Sequence, residues 1–134
     1  MKRKSKTVDG EIIEWWIKNN KKSGASGLHK KARKILKSNF SNNLIFEEVA
    51  IKPYINSIAY LDFFIPDINF GIEVQGEQHF KFIAHFHKTR FNFAKALTKD
   101  KIKKDWCKLN NIHLVYFNYN ESIKEWQDKI SSLL

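Results

Sequence analysis

The fold is decided by residues 57–75, SIAYLDFFIPDINFGIEVQ. The two ends of this stretch, 57–65 and 70–75, are short and rich in β-branched and aromatic side chains, which predicts two β-strands. The intervening Pro66-Asp67-Ile68-Asn69 has the composition of a turn. Because a four-residue connection is too short for a parallel crossover, the two strands are predicted to form an antiparallel hairpin.

Further elements complete a sheet around this hairpin. Residues 44–51 and 112–117 have the same strand-like composition. Apolar residues at helical spacing predict one long or broken helix over 84–109, and Asn120 is the predicted cap of a last helix. Since the long helix precedes the fourth strand, we expect a mixed sheet of about four strands flanked by helices, an α/β fold.

The chain is predicted to divide into a basic N-terminal segment, 1–26, and a domain, 27–134. The elements predicted around this division are a loose arm over 1–8, a short helix over 10–20 capped by Asp9, a linker over 21–27 and a second helix over 27–38. The expected order of helices and strands is therefore α-α-β-β-β-α-β-α.

The charge of the chain indicates an anionic partner. The sequence has 24 Lys and Arg residues against 14 Asp and Glu residues, a net charge of +10. A compact domain this basic usually binds a polyanion, and nucleic acid is the default. Lysine, which suits phosphates better than base edges, supplies nearly all of this charge. A solvated basic surface is the alternative. The predicted phosphate-binding side chains are Lys30, Lys31, Arg33, Lys34, Lys101 and Lys104.

Several classes of protein are disfavoured by the sequence. No apolar run approaches the roughly 18 residues that a membrane span needs, and no apolar signal segment follows the basic N-terminus. We therefore expect a soluble, cytoplasmic protein, either bacterial or a phage protein in its host, with no membrane partner. The single cysteine, Cys107, excludes an internal disulfide framework and a multi-cysteine zinc site.

Two carboxylates stand out because each lies inside an apolar strand segment, where Asp and Glu are disfavoured. The predicted hairpin brings the strand of Asp62 beside the strand of Glu73. Side chains alternate along a strand, so Glu73 and Gln75 point to one face. Two neighbouring carboxylates repel unless a cation lies between them, and such a pair is how proteins usually hold Mg²⁺. The alternative is that both carboxylates are exposed on a half-open sheet.

The spacing of Asp62, ten intervening residues and then Glu73-Val74-Gln75 resembles the PD-(D/E)xK nuclease superfamily. The stretches YLDFFIP (60–66) and GIEVQGEQHF (71–80) are more closely similar to its branch of very-short-patch-repair and phage or homing-type endonucleases. The likeness covers about residues 27–119. It implies a restriction-endonuclease-like fold that hydrolyses phosphodiester bonds with the help of a metal ion.

The resemblance also implies roles for individual residues. Asp62 and Glu73 would be metal ligands, together with the backbone carbonyl of Val74. Gln75 takes the place of the motif lysine, and a neutral amide can orient water or contact metal but supplies no charge. His79 is similar to the histidine that follows this strand in the branch, where it assists proton movement.

The replacement for the motif lysine is left open by the sequence. Lys101, Lys103 and Lys104, all on the predicted crossover helix, are candidates for the missing positive charge. Asp67 in the turn is a second candidate for the first acid of the motif, because it follows Pro66. A turn aspartate more often bonds its own backbone, so Asp62 is preferred.

A further acid of the site is also left open. The superfamily often takes one from the preceding helix, but that helix offers His29 and no acid. Glu47 or Glu48 on the first strand can substitute, and Glu48 is included as a candidate metal ligand. Only one of these neighbours is expected to face the site, because strand side chains alternate. Asp100 matches an acid of the homing-type relatives.

These observations predict a small divalent-metal-dependent DNA endonuclease, with Mg²⁺ or Mn²⁺ as cofactor. It would be a nickase or a double-strand cutter. One active centre cuts one strand, so a double cut requires a homodimer or two binding events. Because of the departure at Gln75, the alternative is a catalytically inactive nucleic-acid-binding protein on the same fold. Cleavage in Mg²⁺ or Mn²⁺ distinguishes the two.

Overall fold

The computed structural model describes residues 1–20 and 26–134. Its strands are β1 (Lys2–Lys6), β2 (Ile12–Trp16), β3 (Phe46–Ile51), β4 (Ala59–Ile65), β5 (Phe70–Gln75) and β6 (His113–Asn118). Its α-helices are α1 (Gly27–Asn39), α2 (Ala84–His87), α3 (Arg90–Leu109) and α4 (Ile123–Ser131). The described parts of the chain are thus mixed α/β.

A four-stranded mixed sheet forms the centre of the molecule, with the strand order β3-β4-β5-β6. The predicted hairpin is confirmed, because β4 pairs antiparallel with β5 and only the short 3₁₀ turn Pro66–Ile68 connects them. β6 pairs parallel to β5, with Ile72 opposite Val115. Helix α3 makes the crossover that a parallel pair requires. The predicted mixed α/β sheet of four strands is therefore confirmed.

Helices cover both faces of this sheet. One buried cluster joins Phe63 and Ile72 to side chains of α1 and α4, among them Leu36 and Trp126. The other joins Phe64 to Trp106 of α3. Adjacent strand residues enter different clusters because their side chains point to opposite faces. The sheet consequently holds helices α1 and α4 on one side and α3 on the other.

The N-terminal prediction of a loose arm and a helix over 10–20 is wrong, because β1 and β2 form an antiparallel hairpin. Along β2 and just beyond it, Trp15 and Ile17 are buried whereas Glu14 and Trp16 are exposed, a period of two. Trp15 packs edge-on against Trp106, with 5.2 Å between the ring centroids. The apolar run of β2 fits either period, and β1 has no apolar side chain that would indicate a strand.

The remaining helices follow the sequence with small corrections. Helix α1 confirms the segment predicted over 27–38, and the Ser26 hydroxyl caps it by accepting from the His29 N–H. Of the predicted linker over 21–27, residues 21–25 lie outside the described residues. The helix predicted over 84–109 is broken between α2 and α3. Helix α4 is capped by Ser122 rather than Asn120, because the Ser122 hydroxyl accepts from the Glu125 N–H.

Within the described ranges, none of the helices combines the length and the apolar composition needed to cross a membrane.

Candidate functional site

Strands β4 and β5 separate at one end, and two carboxylates occupy the opening. The ladder of paired residues ends at Phe63 and Ile72, so continuing the register would place Asp62 opposite Glu73. Instead, the Asp62 N–H donates to Glu73 Oε2 over 3.0 Å, and the Val74 N–H donates to Asp62 Oδ2 over 2.8 Å. Each carboxylate thus satisfies a backbone donor that the separated strands leave unpaired. The two acids are neighbours, as the sequence predicts.

The neighbouring strand is irregular at the same level. Glu48 lies between the paired residues Glu47 and Val49 and has a φ of 51°, in the left-handed region. A residue other than glycine pays about 1–2 kcal/mol for that conformation. On β4, Phe63 packs with α1 whereas Leu61 packs with α3, although residues two apart normally share a face. Both strands therefore break their alternation at the level of Glu48 and Asp62.

This irregularity brings three possible ligands together. One ligand atom from each of His29, Glu48 and Asp62 lies within 4.8 Å of the others. Residues His29 and Glu48 are buried, and Asp62 is half-buried. Metal–ligand bonds of about 2.0–2.2 Å place two ligands of one ion roughly 3–4.4 Å apart. The three atoms lie close to that spacing, and a donor set of two carboxylates and an imidazole is suited to a divalent cation.

Glu48 rather than Glu47 joins the group with Asp62, so one of the two neighbours faces the acids, as expected. The Glu47 carboxylate lies 3.0 Å from His29 Nε2, and the Glu48 carboxylate lies 3.8 Å from His29 Nδ1. Both acids reach one imidazole because the left-handed backbone at Glu48 breaks the alternation. Successive side chains point to opposite faces only where the backbone of a strand is regular.

Arg33 is part of this network and holds Glu47 in place. Its Nε and Nη2 atoms donate to the Glu47 carboxylate over 2.8–3.0 Å. Partial burial raises the pKa of Glu47, but the hydrogen bonds from Arg33 and His29 outweigh it and lower the pKa overall. Glu47 is thus an ionised acceptor. The predicted role of Arg33 in phosphate binding competes with this bidentate pair.

Lys103 on α3 contacts the Glu73 carboxylate directly. Burial raises the pKa of Glu73, and the charge of Asp62 raises it further, whereas Lys103 opposes both. Burial lowers the pKa of Lys103, but the adjacent Glu73 carboxylate raises it by more. Of the three candidate lysines, Lys103 is the one that reaches the acids, whereas Lys101 pairs with the exposed Asp105.

The orientation of Lys103 could have been predicted from its spacing to apolar residues along α3. Trp106 and Cys107 lie three and four residues further on and are buried against the sheet. Residues at these spacings share a helix face, so Lys103 had to point toward the sheet. Burial raises the pKa of the Cys107 thiol to about 12, which keeps it protonated and inert.

His79 and Asp100 form a second pair, and the charge of Asp100 contributes to the raised pKa of Lys103. The short 3₁₀ turn Glu77–His79 follows β5, and it places His79 Nδ1 2.9 Å from Asp100 Oδ2 on α3. Both side chains are about 30% exposed. An imidazole fixed by a carboxylate is suited to proton transfer. The two residues taken from the resemblance are therefore in contact with each other.

The two motif residues that follow Glu73, Val74 and Gln75, make fewer side-chain contacts with the acids. Val74 contacts Asp62 through its N–H. Gln75 is half-buried and lines a cavity of about 360 Å³ with residues of β6 and α4, among them Tyr116 and Lys129. Asp67 remains in the turn and accepts a hydrogen bond from Asn43, away from the acids.

The predicted phosphate-binding residues differ in their availability. Lys30, Lys34 and Lys104 are exposed. Lys31 is half-buried and lies over Trp126, with 5.2 Å from its Nζ to the ring centroid. The exposed lysines of α1 and α3 are the ones available to an anionic ligand.

Comparison with known proteins identifies one relative of undescribed activity. A 59-residue part of the chain is 37% identical to Uncharacterized protein 307L of Invertebrate iridescent virus 6. The match covers 44% of this chain and 30% of that protein, so the chain spans less than a third of the length of that relative. No family model matches the chain. No solved structure matches it either.

Proposed function

We propose that the protein is a divalent-metal-dependent endonuclease that hydrolyses phosphodiester bonds in DNA. The observation that carries the proposal is the position of Asp62, which is shared between two groups of side chains. On one side it joins Glu48 and His29 within 4.8 Å, and on the other it is hydrogen-bonded through its N–H to Glu73. Apposed acids with an adjacent lysine are a common arrangement for phosphoryl chemistry.

We also propose that the core is restriction-endonuclease-like. Support comes from the order of its elements, in which helix α1 precedes the antiparallel strands β3, β4 and β5. Helix α3 then leads to β6, which lies parallel to β5. The acids of the resemblance lie on the two central strands β4 and β5, where the strands separate.

The metal ion would be held by Asp62 and Glu48, with Glu73 adjacent, and would be Mg²⁺ or Mn²⁺. A bound ion of this kind lowers the pKa of a bound water and neutralises charge on the phosphate in the transition state. Lys103, held by Glu73, supplies a further positive charge beside the acids. Lys103 would thus take the role of the motif lysine, which the neutral Gln75 cannot fill.

His79 is the group proposed to move the proton. Its Nδ1 atom is hydrogen-bonded to Asp100, which orients the ring and leaves Nε2 for a substrate oxygen or a water. Asp100 acts through His79 and is a positioning residue. The pair is about 30% exposed, so a ligand can approach it from solvent.

DNA is the proposed substrate because of charge and of exposed aromatic residues. The net charge of +10 favours binding of the phosphate backbone. After His79, two pairs of a basic and an aromatic side chain lie near the surface: Lys95 lies over the exposed Phe91, and Arg90 lies over the half-buried Phe82. Such surfaces bind nucleic acids by combining stacking with ion pairs. A homodimer would allow cleavage of both strands.

The proposal is tested by incubating the protein with duplex, single-stranded and branched DNA, and with RNA, in Mg²⁺ or Mn²⁺. We expect DNA strand breakage that disappears in chelator and in Asp62→Ala or Glu73→Ala. The control is Asp67→Asn in the turn, which should cut like the wild type. Salt-sensitive DNA binding without cleavage by the wild type in either metal would overturn the proposal and favour a nucleic-acid-binding protein.

A further inference from the structure

The imidazole of His29 is held in one orientation by residues that lie behind it. Its Nε2 atom is 3.0 Å from Glu47 Oε1, and Glu47 is itself gripped by the Arg33 guanidinium. Because the ionised carboxylate only accepts hydrogen bonds, Nε2 carries the proton that it donates to Glu47. Nδ1 is then the ring nitrogen that can offer a lone pair to a metal ion.

Nδ1 lies on the side of the ring that faces Glu48. His29 Nδ1 lies 3.8 Å from Glu48 Oε1, beyond hydrogen-bonding distance and within the spacing of two ligands of one ion. The ring is stacked on Phe63 with 4.5 Å between ring centroids, which fixes its plane. A histidine that gives one nitrogen to a metal and the other N–H to a carboxylate is a common arrangement around protein metal ions.

We infer that His29 Nδ1 is a direct metal ligand and that the site therefore selects a first-row transition cation over Mg²⁺. The inference rests on the metal site of the proposed function and specifies its ion. Mg²⁺ prefers oxygen ligands and dehydrates reluctantly, so it gains little from an imidazole. First-row transition cations gain more from an imidazole nitrogen, and their affinity for a mixed nitrogen and oxygen site rises from Mn²⁺ to Cu²⁺. Glu47 and Arg33 are positioning residues that act through the ring of His29.

The test measures metal binding without any nucleic acid, with Mn²⁺ as the probe. Binding is followed by loss of the electron paramagnetic resonance signal of free Mn²⁺, and Mg²⁺ is added as a competitor. For the wild type we expect at least about tenfold tighter binding of Mn²⁺ than of Mg²⁺. Pulsed measurements on the bound Mn²⁺ should show coupling to a directly bonded ¹⁴N nucleus.

Variants show whether the nitrogen that is bonded to Mn²⁺ belongs to His29. His29→Gln, which keeps a polar side chain over Phe63, should lose the ¹⁴N coupling and roughly tenfold or more in Mn²⁺ affinity, with little change for Mg²⁺. Glu47→Gln should keep the coupling and bind Mn²⁺ about 10–100-fold more weakly. The matched control is His85→Gln on α2, an exposed histidine away from the acids, which should behave like the wild type.

The inference would be overturned by bound Mn²⁺ without ¹⁴N coupling in the wild type, or by coupling that persists in His29→Gln. Equal affinity of the wild type for Mn²⁺ and Mg²⁺ would also contradict it, and this measurement needs no variant. Cleavage of DNA with Mg²⁺ and no nitrogen coupling would leave the proposed function standing. Mn²⁺ binding with nitrogen coupling but without DNA cleavage would support the metal site and contradict the proposed nuclease activity.

Discussion

Lys103 of helix α3 contacts the carboxylate of Glu73 on β5, thirty residues earlier in the chain. The contact links the helix that crosses the sheet to the strand that carries the second acid. Lys103 is mostly buried, so its charge is held beside Glu73 rather than in solvent. A lysine from a helix thereby supplies, beside Glu73, the positive charge that the neutral Gln75 does not have.

Lys103→Met should lower the rate of DNA cleavage about 100-fold, because a positive group fixed beside the reacting phosphate contributes about that much. The matched control is Lys101→Met, which removes an exposed ion pair of small energetic value and should change the rate little. Lys103→Arg keeps the charge and should retain more activity than Lys103→Met. Single-turnover cleavage measures all three, and equal rates for Lys101→Met and Lys103→Met would contradict the role.

Glu73 should titrate above the ordinary carboxyl value of 4.5 in the metal-free protein, because burial and Asp62 raise its pKa. A carboxyl group whose pKa is raised on folding favours the protonated folded state. Stability from this group is complete below the unfolded value and is lost as the pH rises through the folded value. Lys103→Met should raise the pKa further, because the lysine opposes the shift.

The measurement for Glu73 is the ¹³C chemical shift of its side-chain carboxyl carbon during a pH titration, assigned with Glu73→Gln. Cleavage should also fall at low pH, but at a pH below the metal-free titration, because a bound cation favours the ionised carboxylate. Titration of Glu73 near 4.5, or a lower pKa in Lys103→Met, would contradict this account.

Trp15→Ala should lower the free energy of unfolding by about 3–5 kcal/mol, because its ring is 5% exposed and contacts Phe64 and Trp106. The neighbouring Trp16 is 59% exposed, so Trp16→Ala should change stability by about 0.5 kcal/mol or less. Urea denaturation compares the two variants. A loss for Trp15→Ala as small as that for Trp16→Ala would contradict the contribution of Trp15 to the core.

DNA affinity should fall steeply with salt, because binding to phosphates releases counterions. Lys30→Ala and Lys34→Ala, both on the exposed face of α1, should each reduce the slope of log affinity against log salt by about 1. Lys124→Ala on α4 is the control with an exposed lysine outside the predicted surface. A slope unchanged in both α1 variants, or reduced equally in the control, would exclude this face.

The sheet was predictable to a large extent because its signals are local. β5 has the predicted bounds, and the pairing of β4 with β5 follows from a connection that is too short for a crossover. The N-terminal hairpin was missed because isoleucines and tryptophans in adjacent pairs satisfy helical and strand periods alike. The strand conformation of β2 is stabilised by the packing of Trp15 against Phe64 and Trp106, which belong to distant segments of the chain.

By itself the sequence determined the mixed α/β sheet, the neighbouring positions of Asp62 and Glu73 and the basic surface, since alternation, turn composition and charge are properties of short segments. Only the tertiary structure decided that Lys103 meets Glu73, and that both Glu47 and Glu48 reach His29. The physical reason is that these contacts depend on a helix crossing the sheet and on a left-handed backbone at Glu48. Neither is encoded in the period of a strand.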